Sequence, residues 1–138
     1  MAFTERISAA CGRKKAELVL EHAKIINVFT ESIEDGDVAV ECGVIVGIGE
    51  YDGVREIDVQ GCYVTPGLID GHIHLESSMA SPEEFARMVV PHGTAAVITD
   101  PHEIANVAGT AGIRYMLEAT EGLDLDVYFM MPSCVPST

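Results

Sequence analysis

From residue 64 to the end, short β-branched runs alternate with helix-forming stretches, and that order leaves few folds open. The runs fall at residues 64–70, 94–100 and 125–131. Between the first two, Ser81-Pro82-Glu83-Glu84 reads as a helix start. Ser serves as N-cap, Pro opens the first turn, and the acids face the positive end of the helix dipole. This helix is expected to reach about residue 90 and to stop near Pro91-His92-Gly93. A second helix is expected over about 104–120, with an irregular start across Gly109 and Gly112 and an end at Gly122. Strands separated by helices form a parallel sheet with right-handed crossovers, so the predicted class is α/β.

The first part of the chain follows a different pattern. Residues 4–16 suggest a short amphipathic helix with a basic cluster at Arg13, Lys14 and Lys15. Strand patterns then cover 18–29, 37–49 and 55–64, parted by turn signals at 34–37 and 51–53. They predict an antiparallel β-unit. The expected division is residues 1–63, an N-terminal segment with part of a flanking β-domain, and residues 64–138, the α/β part.

The string PGLIDGHIHLESS ends the first of the parallel strands. His72 and His74 stand one residue apart, so in a strand they share a face, with Cα atoms roughly 6.6 Å apart. Two imidazoles over such a gap can hold one divalent ion at about 2.0–2.1 Å per nitrogen. Asp70 has the same parity and is expected to orient a histidine from behind. Glu76, on the following loop, suits a substrate or second-metal contact, and equally a solvated acid or a helix cap. Asp100-Pro101-His102-Glu103 follows the second strand and so falls at the same sheet edge. Asp100, His102 and Glu103 are candidate catalytic groups for substrate contact, proton transfer or support. Capping of the next helix accounts for the acids equally well. Cys134, in PSCVP, is either a loop residue over the site or a small buried apolar group. His22 and His92 lie outside this pattern and are assigned no metal.

PGLIDGHIHLESS resembles the first barrel strand of the amidohydrolase superfamily, metal-dependent hydrolases on a (β/α)8 barrel. With DPHEIANVAGTAGIRYMLEAT and LDVYFMMPSCVPST, the chain from about Leu18 onward resembles bacterial adenine deaminases. The resemblance implies the N-terminal part of a small β-sandwich domain, followed by the first three strands and two helices of the barrel. It implies conversion of adenine and water to hypoxanthine and ammonia by metal-activated hydroxide, in purine salvage. It further implies a divalent metal, with a binuclear site of manganese, iron or zinc when the barrel is whole, and a homo-oligomer. Since a (β/α)8 barrel typically takes ~250 residues, the chain is expected to be an N-terminal fragment, inactive alone. Two other readings stand beside this one. They are an amidohydrolase acting on a cyclic amide or an N-acetyl sugar, and a non-catalytic barrel homologue.

Composition narrows the partners. The net charge of −14 repels phosphate backbones, which argues against nucleic acid. No apolar run approaches the ~20 residues of a membrane helix, and the N-terminus has no signal-like apolar stretch. Cys11, Cys42, Cys62 and Cys134 show no C-x-x-C spacing and read as reduced thiols of a cytoplasmic protein. His74-Leu75-Glu76 matches the H-x-E half of the cytidine-deaminase zinc signature, but the P-C-x-x-C half is absent. No G-x-S-x-G, P-loop or G-x-G-x-x-G motif occurs.

Overall fold

The computed structural model describes residues 2–132. The chain forms two compact units, Met1–Pro66 and Gly67–Thr138. The boundary lies three residues beyond the expected one because Tyr63–Val64 is a strand of the first unit, with Val64 paired to Ile25.

The first unit starts with α1 (Ala2–Ala10), then β1 (Ala16–Asn27), β2 (Ser32–Glu41), β3 (Val44–Gly49), β4 (Gly53–Asp58) and β5 (Tyr63–Val64). The helix stops well short of residue 16. Gly12 takes φ 64° and Arg13 N–H bonds the Ser8 carbonyl at 2.9 Å, a glycine-centred helix end. Lys14, freed from the helix, ties Glu5 at 2.7 Å to Glu41 at 2.8 Å. These bonds raise the Lys14 pKa, and the Lys14 bond is the main cause lowering that of the buried Glu41. This member of the basic cluster therefore pins the helix to the sheet.

The sheet order is β3-β2-β1-β4, with β5 also on β1. β1–β2 and β2–β3 are antiparallel, as expected, but β4 and β5 run parallel to β1. The unit is therefore a mixed sheet. The expected turn at 34–37 is instead strand, with Glu34 opposite Ile25 and Gly36 opposite Ala23. The chain reverses at 28–31, where Asn27 Oδ1 accepts the N–H groups of Phe29 and Thr30. Cys42 and Gly43, both at positive φ (49° and 69°), make a two-residue hairpin that splits the expected 37–49 strand. A bulge between Leu20 and Ala23 turns His22 to φ 57°. Asp37 accepts its N–H at 3.0 Å, and its Nδ1 lies 3.0 Å from Asp58 Oδ1.

In the second unit β6 (Leu68–Ile73), β7 (Thr94–Thr99) and β8 (Asp126–Phe129) form a parallel sheet in the order β6-β7-β8. The first strand starts four residues later than expected and ends three later, so it includes His72. Helix α2 (Pro82–Val89) starts as expected, with Ser81 Oγ accepting Glu84 N–H at 3.3 Å. Helix α3 (His102–Ala119) starts two residues early and breaks at Gly109 (φ 59°, ψ −145°). Just past the break, a Cβ on Gly112 would lie 2.8 Å from the Ile104 carbonyl oxygen. Leu75, Phe85, Ala86, Val97, Met116 and Leu125 form the core between the sheet and these helices.

Two outcomes follow. Asp58 raises the His22 pKa above its ordinary 6.5, so the stability of this pair is full below pH 6.5 and declines as pH rises through the raised value. Asp58→Asn should flatten the thermal-melting profile over that interval. Gly112→Ala should destabilise the protein by about 1–3 kcal/mol through overpacking on Ile104, read from chemical denaturation.

Candidate metal and catalytic site

The C-terminal ends of β6, β7 and β8 are held level. Asp100 N–H bonds the Ile73 carbonyl at 2.9 Å, and Met130 N–H bonds the Thr99 carbonyl at 2.8 Å. Thr99 is fully buried, and its Oγ1 accepts Leu75 N–H at 3.4 Å where the chain leaves β6. These bonds bring the PGLIDGHIHLESS and DPHE segments to one edge.

His72 and His74 converge there, with their Nε2 atoms 3.2 Å apart and their rings edge to face. Two nitrogens bound to one ion at about 2.0–2.1 Å in tetrahedral geometry would lie roughly 3.4 Å apart, so the pair fits a shared divalent ion. His74 Nδ1 is 2.9 Å from the Asp100 carbonyl oxygen. A carbonyl only accepts, so Nδ1 carries the proton and the neutral ring keeps its lone pair on Nε2. This is the outer support typical of a ligating imidazole.

Asp100 and His102 extend the group. Asp100 Oδ2 lies 3.2 Å from His102 Nδ1, and the His102 ring stands edge to face on His74 with centroids 4.6 Å apart. Asp100 Oδ1 is buried and has no hydrogen-bond partner among the described residues. His72, His74 and Asp100 each place a ligand atom within 4.8 Å of the others, and so do His74, His102 and Glu103. An orphaned carboxylate oxygen beside two converging imidazoles is a donor set that suits a cation.

Asp70 acts differently from expectation, and Glu76 takes its helix-cap reading. A register irregularity between Asp70 and Ile73 breaks the strict alternation of the strand. Asp70 therefore turns back and accepts His72 N–H at 3.1 Å, touching the main chain of a histidine rather than its ring. Glu76 caps α3: its Oε1 accepts the N–H groups of Glu103 and Ile104, each at 3.2 Å. Cys134 lies outside the described residues. His92 ends the turn after α2, and His22 belongs to the first unit, so neither joins the group. Sequence reasoning missed Thr99 and the Asp100 carbonyl. The burial of Thr99 follows from its place at the end of the central strand, a cue available in the order of elements.

A profile described as "Amidohydrolase family" matches residues 63–138. The chain belongs to the amidohydrolase family. It is 58% identical over 132 residues to adenine deaminase 2 of Carboxydothermus hydrogenoformans, covering 96% of this chain and 23% of that protein. The adenine deaminase of Geobacillus kaustophilus gives the same identity and coverage. That of Bacillus pumilus is 57% identical over 135 residues, 98% of this chain and 23% of its own length. This amidohydrolase chain thus spans about a quarter of the length of the curated relatives it matches. A crystal structure of N-acyl-D-glutamate deacylase from Bordetella bronchiseptica, complexed with zinc and a phosphonate inhibitor, is similar in fold. The TM-score is 0.51 at 24% identity, over 62% of this chain and 19% of that one.

Removing either imidazole should weaken divalent-ion binding by on the order of tenfold or more, whereas Asp70→Asn, which keeps the main-chain acceptor, should leave it unchanged. Equilibrium dialysis of His72→Ala, His74→Ala and Asp70→Asn with Zn²⁺ or Mn²⁺ measures this.

Proposed function

We propose that this chain carries the opening part of the active site of an adenine deaminase, which hydrolyses adenine to hypoxanthine and ammonia. The observation that carries the reading is the convergence of His72 and His74 at 3.2 Å, with His74 fixed in one tautomer by Asp100. The substrate comes from the relatives. Adenine deaminases of several bacteria are 50–58% identical to this chain over nearly all of it.

His72, His74 and Asp100 are the residues that would hold a divalent ion. When bound, the ion supplies Lewis-acid activation of water near neutral pH. Imidazole and carboxylate do not by themselves select among manganese, iron and zinc, and a second ion would need further ligands. The remaining work falls to this chain's own groups. The Asp100 carbonyl keeps the proton on His74 Nδ1. Asp100 Oδ1, buried and without a partner among the described residues, is the oxygen this carboxylate would offer to the ion. His102 donates from Nδ1 to Asp100 Oδ2, which orients that carboxylate. Glu103, exposed one residue on, is left to meet substrate. We place residues 67 onward in a (β/α)8 barrel and the mixed sheet in its flanking β-domain. The exposed free thiols of Cys11, Cys42 and Cys62 fit a reducing, cytoplasmic setting.

The test is an ammonia-release assay on protein extending to the full length of these relatives. Adenine should be turned over faster than guanine, cytosine or adenosine. Preference for a hydantoin, a dihydropyrimidine or an N-acetyl sugar would move the protein to another amidohydrolase activity.

A further inference from the structure

Glu76 belongs to neither donor set, yet its side chain, like that of His74, bonds across from the first segment to the second. It lies two residues after His74, in the 3-10 turn Leu75–Ser78. That turn is fixed, because Leu75 is fully buried and its N–H meets Thr99 Oγ1, while Ser77 N–H bonds the His74 carbonyl at 3.0 Å. From this base, Glu76 Oε1 crosses to the next βα segment and accepts the N–H groups of Glu103 and Ile104, each at 3.2 Å. Those amides immediately follow His102. The helix they open has Pro101 at its N-cap position, which offers no side-chain cap. Its first-turn donors are therefore served from outside the helix, by a residue 27 positions away in sequence.

A cap of this kind does more than end a helix. Pro101 is buried and lies between Asp100, whose carbonyl fixes His74, and His102, whose ring packs on His74. Rotation of the first turn of α3 would carry both contacts away together. We propose that Glu76 is a positioning residue for the active site, holding the start of α3 so that His102 and the Asp100 peptide stay in register with His74. The proposal rests on the reading of His72 and His74 as ligands, and it deepens that reading by naming what aligns the second cluster with them. The cap is made by Glu76 Oε1, an acceptor that a glutamine in its place would keep.

The experiment compares Glu76→Ala and Glu76→Gln with the unaltered chain, using Co²⁺ as the probe ion. The nuclear Overhauser contact between the His74 and His102 rings and the exchange of the Glu103 and Ile104 amides are followed in the metal-free samples, before the paramagnetic ion is added. In Glu76→Ala the ring contact should vanish, the two amides should exchange faster, and Co²⁺ affinity should fall about tenfold. Glu76→Gln, which keeps a carbonyl acceptor, should restore all three. Should Glu76→Ala fail to fold, Glu76→Asp, one methylene shorter with its charge kept, should lose the ring contact. An intact ring contact in Glu76→Ala, or in Glu76→Asp where that stands in for it, would overturn the proposal. A Gln variant as impaired as Ala would also overturn it. His72→Ala separates the two levels. Unchanged Co²⁺ binding in that variant defeats the ligand reading, while the ring contact and amide exchange still decide the role of Glu76.

Discussion

Everything at the candidate site depends on β7 being flanked on both sides by parallel neighbours. A parallel pair fixes which ends of two strands meet, and β7 meets β6 through Asp100 N–H and Ile73 carbonyl, and β8 through Met130 N–H and Thr99 carbonyl. With the ends level, the residues just past β6 and β7 have to share one surface. Val97 and Thr99, at 0% exposure, show how tightly that central strand is enclosed. The chemistry then needs only short reach: a carbonyl to an imidazole, a carboxylate to the next imidazole.

Much of this was legible in the sequence because the cues were local. The Ser81 cap, the break at Gly109 and the shared edge of His72, His74 and the DPHE segment follow from short-range rules of capping, glycine conformation and β/α alternation. The failures have a common physical cause, which is a side chain satisfying backbone that pattern rules assign elsewhere. Asn27 bonds the amides of its own turn and so moves the first hairpin away from the acidic 34–37 stretch. Asp70 bonds a main-chain N–H at an irregularity and leaves the imidazoles to others. Glu76 is a helix cap, one of the readings the sequence allowed, but the amides it serves lie a whole βα unit away, a pairing that no spacing rule contains.

The first unit shows a similar economy. A helix stopped by Gly12 releases Lys14 to bridge two acids, and Glu41, one of them, also accepts Glu17 N–H at 2.9 Å. A buried carboxylate with two such partners is stabilised in its charged form and ties helix, first strand and second strand together. The parallel placement of β4 and β5 on β1 could not be read from alternation alone. Period two reports which residues face a core and says nothing of strand direction.

The break at Gly109 divides α3 into parts with separate duties. Residues before it carry His102 and Glu103 and are gripped by Glu76, whereas Met116, beyond it, is buried in the core. A helix whose dihedral path is interrupted transmits bending poorly from one part to the other. The leading turns, anchored by buried Pro101 and Ala105 and capped by Glu76, can therefore keep their register with the site while the trailing turns adjust to the sheet they cover. In hydrogen-exchange terms, the amides on the two sides of Gly109 would belong to two opening units, the one next to the chemistry held by its own anchors.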